Sequence, residues 1–285
     1  MAPTVSVIIP ACNEAATIAD LIARVKAAGP WHQVIVVDDG SRDATAAEAE
    51  KAGARVISHP YNVGNGAAIR TGIRAATGDV IVMLDGDGQH PPEAVPGLVA
   101  RLDRFHMAVA SRTSLKQGTL FRNFGNRLLI SVAQFLTGAK IADLTSGFRA
   151  VRRNAVLPFL HLFPNRYSYP TTLTMCFIKA GLFIDYVAVE NIQKREKGKS
   201  QLNPVTQGLY FINIILRMII LFEPQKFFVP LGTLFTLGGI GFGLYTVVEH
   251  NRLQETAVLL IVVGVFFFLF GLLAEQVSAL RRQLL

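Results

Sequence analysis

The chain has 285 residues, a formal charge of +8 and a hydrophobic fraction of 51%, a size that suits one catalytic domain plus an appendage. Its two cysteines, Cys12 and Cys176, lie far apart with no metal-ligand spacing, which excludes a disulfide framework and suits a reducing cytosol. The basic excess fits anionic lipid or phosphorylated substrates better than nucleic acid, because no basic stripe interleaved with aromatics is present.

Thr4–Pro10 reads as a first strand, and Ala11-Cys12-Asn13-Glu14 leads into a helix ending near Ala28. Val5–Ile9 is too short for a signal peptide and has no basic flank, so none is expected. Trp31–Val37 is a second strand that ends in Asp38-Asp39-Gly40-Ser41, with Ser41 or Asp43 able to cap the next helix. Ala54–Ser58 is a third strand. The turn Asn62–Gly66 then opens a helix to about Ala76. No Gly-Lys-Ser/Thr follows that turn, and Ile69 breaks a Gly-x-Gly-x-x-Gly reading. As a nicotinamide site it is therefore weak, and a tight turn into a helix is the plain alternative.

A Val- and Ile-rich run after Asp79 is the fourth strand, and it stops at Asp85-Gly86-Asp87-Gly88-Gln89. A helix after Pro92 and a strand at Met107–Ser111 follow. Strands and helices alternate over short connections, which predicts a sheet parallel for the most part and covered on both faces. Beyond Arg112 a helix is expected over Phe121–Leu136, a turn at Asp143–Arg149 entering a short strand, a helix at Tyr169–Ala180 and a strand at Phe183–Val189. A basic loop runs over Arg195–Ser200.

From Pro204 the character changes. Val205–Phe222 reads as a helix of the membrane interface. Phe228–Val248 and Thr256–Ala274 carry no charge, and about 20 such residues cross a bilayer of roughly 30 Å. Lys226 precedes the pair, Arg281 and Arg282 follow it, and the turn Glu249–Glu255 holds only Arg252. The positive-inside bias then puts both ends in the cytoplasm. Phe227, Phe228 and Tyr245 are candidate interfacial anchors. The expected organisation is a catalytic domain over 1–203, a juxtamembrane helix over 204–226, and a hairpin over 227–285 with spans at about 228–248 and 256–276 and a cytoplasmic tail.

Asp85 and Asp87 belong at the carboxyl end of a buried strand, where open α/β sheets place ligands. Two acids so close repel each other unless a cation joins them, and a divalent metal carrying a diphosphate is the natural partner. A solvated Asp-Gly turn is the plain alternative. An EF-hand loop fits poorly, since His90 and Pro96 stand where Gly and Glu belong. Glu14 and Asp39 end neighbouring strands and suit hydrogen bonds to a base or ribose. His32, His90 and His106 share no metal-ligand spacing and read as structural or solvated.

Ile9-Pro-Ala-Cys-Asn-Glu14, Val36-Val-Asp-Asp-Gly-Ser-Arg-Asp-Ala-Thr45, the Gly64–Gly72 glycine pattern with Ala76-Thr-Gly-Asp79, Asp85–Pro91, Ser111-Arg112 and Asp143–Arg149 occur in that order. The set, over about Val5–Ser200, resembles an inverting family 2 glycosyltransferase of the GT-A fold, a Rossmann-like α/β architecture. It is most similar to the polyprenyl-phosphate (dolichyl-phosphate mannose synthase-like) branch, whose bacterial members carry a two-helix C-terminal membrane hairpin. The resemblance implies hexose transfer from a UDP- or GDP-linked nucleotide sugar to undecaprenyl or dolichyl phosphate, with Mg2+ or Mn2+, in an integral enzyme of the bacterial inner membrane whose catalytic domain is cytoplasmic. By the same resemblance Pro10, Cys12, Glu14, Val37 and Asp39 hold the nucleoside, and Asp85, Asp87 and Gln89 hold the metal and diphosphate. Gly86 allows close backbone approach. Arg195 covers the donor diphosphate, while Arg112, Arg127 and Arg122 bind the acceptor phosphate. Two positions depart from the pattern: Asn65 stands where a lysine is common, and Gln201 rather than lysine follows Ser200, leaving Lys197 or Lys199 to substitute.

A processive polysaccharide synthase is a poor fit, because the lone Trp31 excludes the Gln-x-x-Arg-Trp motif of those enzymes. Transfer of the sugar to a different lipid or to a protein stays open, and so does an inactive nucleotide-sugar-binding scaffold. The sequence leaves the sugar and the oligomeric state open, with the membrane helices as the surface for homo-oligomers.

Overall fold

A computed structural model describes residues 3–112, 120–166, 169–189 and 204–283. Two compact units divide the chain, Met1–Gly208 and Leu209–Leu285.

The first unit is built on a seven-stranded sheet in the order β3-β2-β1-β4-β6-β5-β7. Its strands are β1 (Val5–Ala11), β2 (Gln33–Asp38), β3 (Arg55–Ser58), β4 (Val80–Met83), β5 (Met107–Arg112), β6 (Arg149–Arg152) and β7 (Ile184–Val189). All seven residues of β1 are buried, as an unbroken apolar run in a central parallel strand requires. Helices α1 (Ile18–Ala27), α2 (Thr45–Lys51), α3 (Asn65–Ala75), α4 (Val95–Arg101), α5 (Leu120–Thr137), α6 (Arg153–Val156) and α7 (Tyr169–Lys179) complete the unit. On α1, Ile18, Leu21, Ile22 and Val25 are buried at the spacing of one helical face.

The sheet is parallel except for β6, which runs antiparallel to both β4 and β5. The alternation of strands and helices carries no signal for that reversal. The connection from β5 contains α5 and ends in the Asp143–Arg149 turn, from which β6 enters the sheet antiparallel to both neighbours. The short helix α6 and the 3-10 turns of Leu157–Leu162 are further elements without a clear pattern in the sequence.

The carboxyl ends of β1 to β4 share one edge. Ala11 pairs with Asp38, and Asp38 with Ser58. Beyond the strands the ladder continues: Asp39 N–H donates to Ala11 O (2.8 Å), His59 N–H to Asp38 O (2.8 Å) and Gly86 N–H to Pro10 O (3.2 Å). Close backbone approach at Gly86 is therefore made by β1 itself, since a Cβ there would lie 2.9 Å from the Pro10 oxygen.

The glycine turn before α3 has a specific occupant. Gly64 sits at φ 120, a conformation that suits glycine alone. Gly66 N–H donates to Arg166 O (3.0 Å) and Ala67 N–H to Asn165 O (2.8 Å). A Cβ on Gly66 would overlap the Pro164 carbonyl oxygen. Those first-turn amides are spent on the chain's own 164–166 segment, so the turn packs protein rather than cradling a phosphate.

Helix α8 (Pro204–Phe222) begins in the first unit and ends in the second. The rest of the second unit is a hairpin of α9 (Gln225–His250) and α10 (Glu255–Gln283). Asn251 closes α9 in the left-handed conformation (φ 48), which asparagine tolerates well. The apolar spans Gln225–His250 and Glu255–Leu280 are 26 residues each, long enough for a hydrocarbon core of roughly 30 Å. Glycines let the two backbones meet: a Cβ on Gly232 would lie 2.9 Å from Gly264 O, and one on Gly239 2.9 Å from Ala257 O. Phe228 and Phe235 both pack on Phe267, with ring centroids 6.3 and 5.5 Å apart. Tyr245 is exposed near the far turn, its ring 6.4 Å from that of His250.

Candidate active site at the carboxyl edge of the sheet

Side-chain hydrogen bonds lock the loops after β1 and β2 together. Asn13, left-handed at φ 56, donates its N–H to Ser41 Oγ (2.9 Å) and accepts from Arg42 N–H at Oδ1 (2.8 Å). Glu14 N–H donates to Thr45 Oγ1 (2.8 Å) and Ala15 N–H to Asp43 Oδ2 (3.2 Å). Cys12 and Glu14 are thus fixed beside the end of β2. Neither Ser41 nor Asp43 is the N-cap of α2, a position that falls to Ala44. Asp43 instead takes the Thr45 N–H (3.1 Å) and hydroxyl, and the hydroxyl bond holds its carboxyl below the usual range.

Asp39 is only 3% exposed. Its Oδ1 accepts from His59 Nδ1 (2.7 Å) and Val63 N–H (3.0 Å), and its Oδ2 from Gly64 N–H (2.7 Å). Val37 is fully buried, and its side chain fronts Gly72 of α3.

On the turn after β4, Asp85 is half-buried. Asp87 accepts from Gln89 N–H (3.1 Å) and Gln89 Nε2 (2.9 Å), which leaves the Gln89 carbonyl oxygen available as a ligand. Asn65 Nδ2 reaches Asp85 Oδ1 at 3.5 Å. Where a lysine would set a charge against Asp85, this chain sets a neutral amide. His90 is 4% exposed and stacked on Phe148 (5.2 Å, 23°). The Asp85 N–H donates to its Nδ1 (3.2 Å), so that nitrogen carries no proton. The 3.9 Å approach of the same nitrogen to Asp85 Oδ2 is then no ion pair. His90 is structural, as its spacing in the sequence suggests.

The Asp143–Arg149 segment supports this turn from beneath. Asp143 Oδ1 accepts from Thr145 N–H (2.9 Å) and Ser146 N–H (3.0 Å), which forms a tight turn. Gly147 lies against Asp85, since a Cβ there would meet Oδ2 at 3.0 Å and the Tyr169 hydroxyl at 3.3 Å. Arg149 is fully buried. It donates to Ser146 O through Nε (3.0 Å) and Nη2, and through Nη1 to Pro170 O (3.1 Å) and Thr174 Oγ1 (3.2 Å). Burial lowers its pKa, and the charges of Asp143 and Asp85 act against that shift. Burial also pushes the neighbouring Tyr186 phenol up to about 12.

Among the described residues no group of three or more His, Cys, Asp or Glu is placed to hold a metal by itself. The Asp85–Asp87 carboxylates with the Gln89 carbonyl form a small all-oxygen set. Such a set fits a hard divalent cation that completes its shell with water and diphosphate oxygens.

Pro10, Cys12, Glu14, Val37, Asp39, Asp85, Gly86, Asp87 and Gln89 therefore gather on one edge. Arg127 is exposed on α5, which packs on α7, and no described hydrogen bond or ion pair joins it to that edge. Arg112 is the last residue of β5 and Arg122 lies on α5, but their side chains fall outside the described residues. Arg195, Lys197, Lys199 and Gln201 fall outside them as well. Asn13, Thr45, His59, Gly147 and Arg149 have no individual role in the sequence reading, and Ser41 has one only as a helix cap, although most of them lie in the family motifs. Their Asn, Ser and Thr types at turn spacings are the available signal.

The profile of Glycosyl transferase family 2 matches residues 6–157, and that of the GtrB C-terminal hairpin matches residues 223–280. Undecaprenyl-phosphate 4-deoxy-4-formamido-L-arabinose transferases of Klebsiella pneumoniae and of Enterobacter sp. are each 29% identical over 96% of this chain and 88% of theirs. Among solved structures, glucosyl-3-phosphoglycerate synthase of Mycobacterium tuberculosis with Mn2+, UDP and its product is similar. The match has a TM-score of 0.61 at 26% identity and covers 76% of this chain and 79% of that one. The first unit is a GT-A-type domain. The chain is a glycosyltransferase and belongs to glycosyl transferase family 2.

Proposed function

We propose that this enzyme moves a hexose from a UDP-linked donor to undecaprenyl phosphate at the cytoplasmic face of a bacterial membrane, with Mn2+ or Mg2+. One observation carries the reading: a single chain joins an acidic sheet edge to two apolar helices of membrane length, and relatives named as undecaprenyl-phosphate transferases match it through both parts. UDP and Mn2+ are named for the similar Mycobacterium tuberculosis synthase, which favours uridine over guanosine.

In this reading Asp39, Cys12 and Glu14 hold the nucleoside. Asp85, Asp87 and Gln89 hold the cation and diphosphate. A bound divalent cation neutralises the charge of the departing nucleoside diphosphate. Arg127, with Arg112 and Arg122, binds the acceptor phosphate through forked N–H donors, and Arg195 covers the donor diphosphate. A phosphate monoester, with its second pKa near 6, is mostly ionised at neutral pH. The acceptor oxygen therefore attacks the anomeric carbon without a strong base, the bond from that carbon to the diphosphate breaks, and the configuration inverts. The protein acts by positioning and electrostatics. The domain organisation proposed is a catalytic unit to about residue 203, a juxtamembrane helix and a membrane hairpin.

The test is incubation of the full chain in detergent with radiolabelled UDP- or GDP-sugars, Mn2+ and undecaprenyl phosphate. The expected product is a lipid-linked sugar that partitions into organic solvent and forms from a UDP-sugar. No lipid-linked product from any common donor would refute the proposal.

A further inference from the structure

His59 follows directly after β3 and has no place in the family motifs. Its Nδ1 lies 2.7 Å from Asp39 Oδ1, and its Nε2 lies 3.0 Å from Thr71 Oγ1 on α3. A carboxylate only accepts, so Nδ1 carries the proton, and the Thr71 hydroxyl fixes the far side of the ring. The imidazole is 13% exposed and the Asp39 side chain 5%.

A carboxylate offers about four acceptor directions. On Asp39 three are taken: His59 and the Val63 amide on Oδ1, and the Gly64 amide on Oδ2. Those two amides belong to the turn that the 164–166 segment holds in place. One acceptor direction, on Oδ2, is left.

Uracil presents a single imide N–H flanked by two carbonyls. Guanine presents its ring N–H and amino group side by side, a pair that matches both oxygens of one carboxylate. We infer that His59 sets the nucleoside selectivity of the donor site: by occupying Asp39 Oδ1 it leaves one acceptor, enough for the uracil imide and too few for guanine. His59 is thus a positioning and specificity residue that acts through Asp39. The inference rests on the reading that Asp39 faces the nucleoside.

Calorimetric titration of the full chain in detergent micelles with Mn2+, using UDP and GDP separately, tests it. The wild type is expected to prefer UDP by about tenfold or more, the usual weight of one hydrogen bond to a charged group. His59→Ala opens one acceptor direction on Oδ1 beside the Val63 amide, so GDP should bind more tightly and the preference should fall toward parity. His59→Asn, which puts an amide N–H near the same oxygen, should restore part of the preference. Thr71→Val releases the ring from its far side and should shift the preference the same way by less, which serves if His59→Ala fails to fold. An unchanged UDP-to-GDP ratio in His59→Ala and Thr71→Val would overturn the inference, even with a lowered melting temperature. A wild type that favours GDP would also overturn it. A wild type that binds neither nucleotide would overturn both this and the proposed donor.

Discussion

Asp87→Ala is expected to lower turnover by about 10²- to 10³-fold or more, the scale seen when one preorganised electrostatic group is removed from a reacting centre. The loss should appear in kcat and in the metal concentration needed for half-maximal rate. Asp87→Asn should behave similarly, because it keeps the shape and removes the charge. Folding should be little affected. Asp87 sits half-buried and its bonds to Gln89 stay within the turn, which is also held by Gly86 N–H on Pro10, Asp85 N–H on His90 and the packing of Gly147 against Asp85. Steady-state kinetics beside a thermal melt separates the two effects. An undiminished rate would show the acid to be dispensable.

The second large effect is expected at Arg149, and it falls on stability. The guanidinium is fully buried and satisfies Ser146 O, Pro170 O and Thr174 Oγ1. Arg149→Met keeps much of the volume but leaves Ser146 O without its donors and removes the bonds to α7, where Pro170 O keeps the Thr174 hydroxyl (3.0 Å). The orphaned acceptor costs about 1–3 kcal/mol and the lost bonds from a charged donor add about 1.5–3 kcal/mol, so the total should reach roughly 3–5 kcal/mol. For a unit of this size that is a fall of about 10 °C or more in melting temperature. The residue bridges the Asp143–Arg149 turn to α7, so the change should also loosen Gly147 beneath Asp85 and reduce activity well below the melt. Arg149→Lys keeps the charge with fewer directed donors and should lie between. A melting temperature unchanged in Arg149→Met would contradict this role for the buried guanidinium.

Much of the fold was legible because burial leaves a local trace. The apolar run of β1, the one-sided apolar spacing of α1 and the uncharged stretches of α9 and α10 each show in a few consecutive residues. The acidic edge was legible too, since Asp39 and Asp85 follow directly on strands whose ends must align in a parallel sheet. Features joined by distant partners were hidden. Nothing near His59 announces Asp39, 20 residues away. Nothing near Gly66 announces that its amide meets the Arg166 carbonyl. The reversal of β6 likewise shows only in its pairing with β4 and β5, which lie far from it in the chain. Arg149 illustrates the boundary well: its motif was visible, but only the fold shows it turned inward to hold the chain.

The most direct test of the central claim, that the Asp85–Asp87 turn is where metal and donor diphosphate meet, is an anomalous-difference map. Crystals of the full chain grown with UDP and Mn2+ would be measured at the manganese edge. One strong peak is expected within bonding distance of the Asp85 or Asp87 carboxylate, absent from Asp87→Ala crystals grown the same way. A peak away from both acids, or one that survives in Asp87→Ala unchanged, would contradict the claim.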